Sequence, residues 1–281
     1  MISYPPLNPV ALSLGPVTLG GRTFGPLSIH WYGIMYGLAF LITHAMVKSQ
    51  VKRRGLPLDD TGVADFIMAL IMGVILGGRI GYVLFYNFRE YLAHPLEILA
   101  VWHGGMSFHG GLIGTLVAGA WFCRKNKLSL LEMTDVTVVS VPLGLALGRL
   151  GNFINAELWG RPTSVPWAMI FPTDPLGVPR HPSQLYEAGL EGLFLFAVLF
   201  GLSKLQPPKG SLLGTFLLGY GLIRFALEFV RNPDAHLGTV LGPFSMGQLL
   251  STPMVLGGLA LIVLAFRRPA TTSLDEKASV P

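Results

Sequence analysis

Apolar residues along the chain gather into seven long stretches, near 30–47, 63–86, 106–123, 134–152, 184–203, 211–230 and 247–266. Each approaches the 20 or so helical residues that cross a hydrocarbon core of about 30 Å. The stretches show no period-two alternation, and open chain in lipid would strand its amides, so helices are the predicted elements. Pro57, Pro95, the Pro207-Pro208 pair and Pro269 sit between or after them as stop signals. The pattern therefore predicts an all-α polytopic membrane protein with seven transmembrane helices. An arm over 1–29 precedes the membrane domain at 30–266, and a tail over 267–281 follows it. The segment from Met1 to Gly20 lacks a basic leader, which predicts no cleaved signal peptide.

Composition agrees with this reading. Of 281 residues, 51% are apolar and only 12% charged, against about 25% charged in a soluble domain. A single cysteine, Cys123, excludes a disulfide framework. The net charge of +5 raises the question of nucleic acid, and the placement of the basic residues answers against it. Lys48, Lys52, Arg53 and Arg54 follow the first stretch; Arg124, Lys125 and Lys127 follow the third. Lys204 and Lys209 follow the fifth, and Arg267, Arg268 and Lys277 occupy the tail. These segments alternate along the chain, so the positive-inside rule places them in the cytoplasm and the N-terminus outside. The connections near 87–105, 153–183 and 231–246 then form, with the arm, a small non-cytoplasmic head. All seven lysines fall on the inner side, and the eight other basic residues are all arginine. Guanidinium is a planar fork that grips phosphate or carboxylate through two bonds, which points to an anion handled at the outer leaflet. The positive-inside bias alone would also thin the outer lysines.

The densest polar cluster runs from Gly148 to Gly160 and closes the fourth stretch with Arg149, Asn152, Asn155, Glu157 and Trp159. Such groups are costly at a membrane boundary unless they have partners or a ligand. The bland alternative is an arginine that snorkels to headgroups beside a tryptophan anchor. A second cluster, Trp102 to Gly111, holds two His-Gly-Gly units, at His103 and His109. Helical zinc pairs use i,i+4 spacing, so these histidines do not read as a metal site. His109 is either a base working near neutrality or a histidine hydrogen-bonded for structure. In the sixth stretch Tyr220, Arg224 and Glu228 share one helical face at i,i+4 steps, with Arg231 beyond. Arg224 and Glu228 form either part of a site or a structural pair. Arg79 lies in the second stretch, and Glu187 or Glu191 of the fifth is expected to neutralise it. No Gly-x-Ser-x-Gly elbow, His-Glu-x-x-His, P-loop or dinucleotide fingerprint occurs. Cys123, on the cytoplasmic side, cannot serve an outward-facing site.

The run Gly148-Arg149-Leu150-Gly151-Asn152-Phe153-Ile154-Asn155-Ala156-Glu157-Leu158-Trp159-Gly160 resembles the signature of the bacterial prolipoprotein diacylglyceryl transferase family. The resemblance extends to His30-Trp31-Tyr32-Gly33, Gly77–Tyr82, Gly104–Gly111, Arg180–Glu187 and Glu228–Ala235, in order over nearly the whole chain. The loop over 161–179 is short beside some members, and the arm is a little longer. The resemblance implies an enzyme of the bacterial inner membrane. Such an enzyme moves the diacylglyceryl group of phosphatidylglycerol to the lipobox cysteine of a prelipoprotein and releases glycerol phosphate. Phosphatidylglycerol, the prelipoprotein and membrane lipid are the implied partners, with no nucleic acid, metal or cofactor. The implied site residues are His109, Arg149, Arg224 and Glu228, with Tyr32, Asn152, Asn155, Glu157, His181, Tyr220 and Arg231 around the substrates. The rivals are a transporter for a phosphorylated solute, which would need polar residues continuing to the inner face, and a headgroup-cleaving hydrolase.

Overall fold

The computed structural model describes residues 2–100, 104–232, 239–241 and 244–267. His103, residues 233–238 and 242–243 of the 231–246 connection, and the tail beyond 267 lie outside the described residues. Seven helical segments fall where the apolar stretches predict them. They are α1 (Trp31–Arg54), α2 (Asp60–Phe85), α4 (Phe108–Lys125), the pair α5 (Leu130–Val138) and α6 (Val141–Ile154), a run from Ser183 to Ser203, α9 (Ser211–Leu227) and α10 (Met246–Arg267). A short α3 (Phe88–Ala93) and a 3-10 turn at Pro95–Leu99 lie between α2 and α4.

By length and composition, Asp60–Phe85, Ser183–Ser203 and Met246–Arg267 are each long and apolar enough to cross a membrane. α5 and α6 meet that test together, bent by 45°. The sequence reads 134–152 as one span; Pro142 at the start of α6 lacks the amide a continuous helix requires there, and the chain breaks at 139–140. The run from 183 is also irregular: α7 (Ser183–Glu187), a π-helical stretch (Ala188–Phe194) and α8 (Leu195–Ser203) follow without a gap. Single π turns inside helices are frequent at functional sites.

Local signals set the helix ends. Asp59 caps α2 by accepting from the Gly62 amide at 2.7 Å. Lys52, Arg53 and Arg54 sit in the last turn of α1, where the helix dipole favours cations, and Gly55 follows with a positive φ of 62°. Two compact units result: Met1–Ala39 with Val138–Pro281, and Phe40–Thr137.

In the second unit, α2 and α4 approach backbone to backbone. A Cβ on Gly77 would come within 2.3 Å of the Gly110 carbonyl, and one on Gly114 within 2.1 Å of the Gly73 carbonyl. Small residues are what allow such contact between apolar helices. Val47, Val63, Phe66, Phe122, Met133 and Val136 form the unit's core, and Cys123 is buried among them.

In the first unit, the arm is built of short strands. β1 (Ile2–Ser3) pairs in parallel with β4 (Met169–Ile170), and β2 (Val10–Leu14) pairs antiparallel with β3 (Leu27–His30). The Tyr4 hydroxyl donates to the Phe153 carbonyl at 2.7 Å, and its ring packs on Phe153 and Phe171. This ties the arm to the C-terminal end of α6, where the polar cluster begins.

Candidate functional site

The first unit gathers ionisable side chains from α6, α7 and α9 around one carboxylate, Glu187. Its side chain is 1% exposed. Nε of Arg149 lies 2.5 Å from Glu187 Oε2, an ion-pair contact without hydrogen-bond alignment. Nη1 of Arg231 donates to Oε1 at 2.5 Å, and Nη1 of Arg224 stands 4.0 Å from the same oxygen. Glu228 supplies a second anion: its Oε2 lies 3.0 Å from Arg224 Nη2 and 3.7 Å from Arg231 Nε. Arg224 and Glu228 share a helix face as the i,i+4 spacing predicts, so their pairing is local, whereas Arg149 reaches Glu187 from a separate helix. Gly247 packs so close to Glu228 that a Cβ there would come within 2.7 Å of the carboxylate.

Asn152, Asn155 and Glu157 extend the network from Arg149. Nη1 of Arg149 donates to Asn152 Oδ1 at 3.3 Å. Asn152 and Asn155 in turn donate to Glu157 Oε1 at 2.8 and 3.1 Å. Glu157 therefore acts on Arg149 through Asn152. Its backbone is unusual, because Ala156 and Leu158 on either side have φ of 54° and 59°. Non-glycine residues adopt that region only when their surroundings hold them there. The holders are identifiable: Gln184 donates to the Glu157 carbonyl at 2.6 Å, Ser183 to the Leu158 carbonyl at 3.0 Å, and Thr173 to the Ala156 carbonyl. Gln184 and Ser183 are buried at the start of α7. The same helix turn thus fixes the Glu157 loop and delivers Glu187.

Tyr32 lies over α6, and a Cβ on Gly151 would come within 2.7 Å of its ring. Its hydroxyl is 3.4 Å from that of Tyr36, and Glu157 and Arg149 are within electrostatic range. Tyr220 of α9 stacks on Phe216 with centroids 5.7 Å apart and lies within electrostatic range of Glu191, Arg224 and Arg149.

His181 stands in the loop scaffold instead of the ion cluster. Its Nδ1 is 3.1 Å from the Tyr186 hydroxyl, and burial lowers its pKa from the ordinary imidazole value. Its backbone accepts from the Gly160 amide at 2.9 Å and donates to the Arg161 carbonyl at 3.1 Å. Arg161 also pairs with the 230–231 strip, its amide donating to the Val230 carbonyl and its Nε to the Arg231 carbonyl. His181 and Gly160 therefore support the chain that carries Arg231.

Beside this network, Arg180 makes a two-pronged pair with Asp174 at 2.7 and 2.9 Å, and its guanidinium lies 4.0 Å over the Trp159 ring. Those hydrogen bonds hold the Asp174 carboxyl below the usual carboxylate range.

His109 belongs to the second unit. It occupies the first turn of α4, exposed, with its ring edge-on to Phe108 at 5.6 Å; Ser107 caps that turn through the Gly110 amide. Arg79 is also in the second unit and corrects the sequence expectation. Instead of Glu187 or Glu191, it meets five backbone carbonyls: Glu97, Ile98, Ala100, Gly104 and Gly105. Gly105, at φ 75°, lies so near that a Cβ would come within 2.8 Å of the guanidinium.

Glu187, the shared partner of the three guanidiniums, is the residue that sequence reasoning did not place in this cluster. The signal was available: two carboxylates four apart in an apolar span require cations, and Arg149, Arg224 and Arg231 stand at the ends of neighbouring spans. Choosing among the cations needed the helix packing.

Comparison with known proteins shows the family of the chain. The family model for prolipoprotein diacylglyceryl transferase matches residues 22–264. The chain is 52% identical to the phosphatidylglycerol–prolipoprotein diacylglyceryl transferase of Bordetella avium, over 95% of this chain and 98% of that one. The proteins of the same name from Geobacter sulfurreducens and Teredinibacter turnerae are 51% and 48% identical. They cover 95% and 100% of this chain and 98% and 97% of their own.

Proposed function

Because this chain belongs to the prolipoprotein diacylglyceryl transferase family, we propose that it transfers the diacylglyceryl group of phosphatidylglycerol to the cysteine thiol of prelipoproteins. The transfer is the first step of lipoprotein maturation. The chain is a membrane enzyme, and on our reading a seven-span one of the bacterial inner membrane. The arm and the connections near 87–105, 153–183 and 231–246 form its outer head. The substrate thiol is that of a lipobox cysteine, since Cys123 is buried in a hydrophobic core.

The observation that carries this reading is the set of three guanidiniums converging on Glu187. Transfer breaks the carbon–oxygen bond between the lipid glycerol and its phosphate. The sulfur takes the carbon, and the electron pair of the broken bond goes to the phosphate oxygen. Cations fixed in advance where that charge settles lower the barrier without reorganising during the reaction. Arg149 and Arg224 take the phosphate oxygens. Glu187 and Glu228 hold the guanidiniums in place, and Arg231 completes the set. Asn152 and Asn155 face the glycerol or phosphate oxygens, with Glu157 orienting them. Tyr32 and Tyr220 line the lipid cleft, presenting ring faces to the chains and hydroxyls to the headgroup. His109 accepts the thiol proton. A thiol of pKa about 8.5 attacks mainly as thiolate, so a base matters most below that value.

Incubating the purified protein with phosphatidylglycerol and a lipobox peptide tests the function. The peptide mass rises by one diacylglyceryl group; a lipid cleaved with no peptide adduct means a hydrolase instead. Changing His109 to Gln slows transfer more at about pH 6.5 than at about pH 9, where the thiol ionises unaided. Equal loss at both values removes the base assignment.

A further inference from the structure

Glu191 takes no part in the reaction as derived, yet no carboxyl in the described residues is more enclosed. It is 0% exposed, and neither of its oxygens has a hydrogen-bond partner. It sits in the π-helical stretch Ala188–Phe194, four residues beyond Glu187. The groups facing it come from every neighbouring element that carries charge. Glu187 belongs to its own helix run, Arg149 to α6, Tyr220 and Arg224 to α9, and Arg231 follows α9. α8 contributes no ionisable side chain.

The charges around it decide what Glu191 does. Arg149, Arg224 and Arg231 supply three positive charges, and the two carboxylates in ion-pair contact with them, Glu187 and Glu228, supply two negative ones; Glu157 stands outside this set, reaching Arg149 through Asn152. With Glu191 neutral, the cluster holds one surplus positive charge, the complement of a phosphodiester monoanion. With Glu191 ionised, the cluster is already balanced, and an entering phosphodiester would leave one negative charge uncompensated in an enclosed site. Buried charge without a partner is strongly unfavourable, and a carboxylate relieves it by protonation. Glu187 and Glu228 each lie in ion-pair contact with a guanidinium, at 2.5 and 3.0 Å, whereas Glu191 is fully buried with neither oxygen hydrogen-bonded.

We propose that Glu191 is the proton-exchange group of the site, taking up one proton as a phosphodiester lipid binds and giving it back when the anion leaves. The anion then replaces the Glu191 charge opposite the same three guanidiniums. The inference rests on the transferase reading for the identity of the lipid.

Calorimetry of the full-length protein with short-chain phosphatidylglycerol, in two buffers of different ionisation heat, measures the protons taken up. The expected result is about one proton per lipid bound, with the apparent Kd weakening up to about tenfold per pH unit as Glu191 ionises in the free enzyme. Glu191→Gln should bind the lipid with no uptake and a Kd flat with pH, while Glu191→Asp should restore the uptake. Binding to the wild type without proton uptake, or uptake that persists in Glu191→Gln, overturns the proposal. Should the Gln variant not fold, infrared difference spectra of the wild type replace it: lipid addition must produce a new protonated-carboxyl band, and its absence overturns the proposal. Peptide modification is measured separately in the same preparation. Proton uptake with no thioether product therefore removes the transferase reading alone, and a thioether formed without uptake removes the proton exchange alone.

Discussion

Arg79 and the cluster around Glu187 are two answers to one problem, a guanidinium in a largely apolar chain. Arg79, 4% exposed, has five N–H donors and five carbonyl acceptors, with the Tyr91 ring 5.0 Å away. Its valence is filled by backbone that the 3-10 turn and the Gly104-Gly105 bend wrap around it. The Glu187 cluster is filled incompletely. Nη1 of Arg224, Nε of Arg231 and Oε2 of both Glu187 and Glu228 are buried without hydrogen bonds. A satisfied buried cation stabilises a fold; one left short of partners is ready for a ligand that supplies them. On the function proposed above, the contrast would separate a structural arginine from binding arginines of identical chemistry.

The largest way to break the comparison is to remove the shared anion. Glu187→Gln removes the carboxylate that the three guanidiniums share, and breaking a buried ion pair costs about 3–5 kcal/mol. The variant should lose thermal stability in detergent and lose transfer together. A variant as stable as the wild type would mean that Glu187 does not hold the cluster. Arg149→Ala comes next. Removing a preorganised charge partner costs about 100–1000-fold in rate, so transfer should collapse while the protein stays folded. Full activity in this variant would end the role assigned to Arg149. Arg79→Lys is the control from the second unit. Lysine has three donors against five, and each carbonyl left bare costs about 1 kcal/mol or more, so a loss of about 2–3 kcal/mol in stability is expected. Transfer per folded molecule should fall by less than tenfold. A collapse of transfer at unchanged stability would move Arg79 into the chemistry and erase the distinction.

The contrast also explains what was legible in the sequence. The seven helical segments were, because apolar runs of that length have few other uses. So was the pairing of Arg224 with Glu228, since i,i+4 neighbours meet on any helix. Arg149, Asn152 and Glu157 stood out because polar residues at the edge of an apolar run are expensive. The partner of Arg79 was not legible. Carbonyls have no sequence signature, so carboxylates of the fifth apolar stretch were assigned to it wrongly, and Glu187 was thereby taken from its own cluster. The break between α5 and α6 had a visible cause in Pro142, but an apolar run that continues through a proline hides the bend. The first strand of the arm was illegible, since its partner lies far along the chain, as Met169 does for Ile2.

Asp174 and Arg180 sharpen the comparison with the smallest effect. They lie in the loop beside the cluster and form an ion pair whose side chains are 0% and 4% exposed, yet the pair resembles Arg79 in being satisfied. Both Asp174 oxygens accept from the guanidinium, and the Leu176 and Val178 amides take further positions. Hydrogen bonding from Arg180 is the largest cause of the lowered Asp174 pKa. A carboxyl whose pKa falls on folding adds stability above its unfolded value, near 4, and that contribution disappears as pH falls through the lowered folded value. Asp174→Asn should therefore be less stable than the wild type by a constant margin above about pH 5, and the margin should shrink progressively below about pH 4. Transfer at neutral pH should be nearly unchanged, because the pair touches Trp159 and the loop backbone and leaves the three guanidiniums around Glu187 as they are. Thermal unfolding across that pH range, with transfer assayed in parallel, checks both halves. A margin that is the same at all pH values would show that the Asp174 charge does not stabilise the loop. A loss of transfer as large as that of Arg149→Ala would show that a satisfied ion pair can belong to the chemistry, and the criterion that divides Arg79 from the Glu187 cluster would fall.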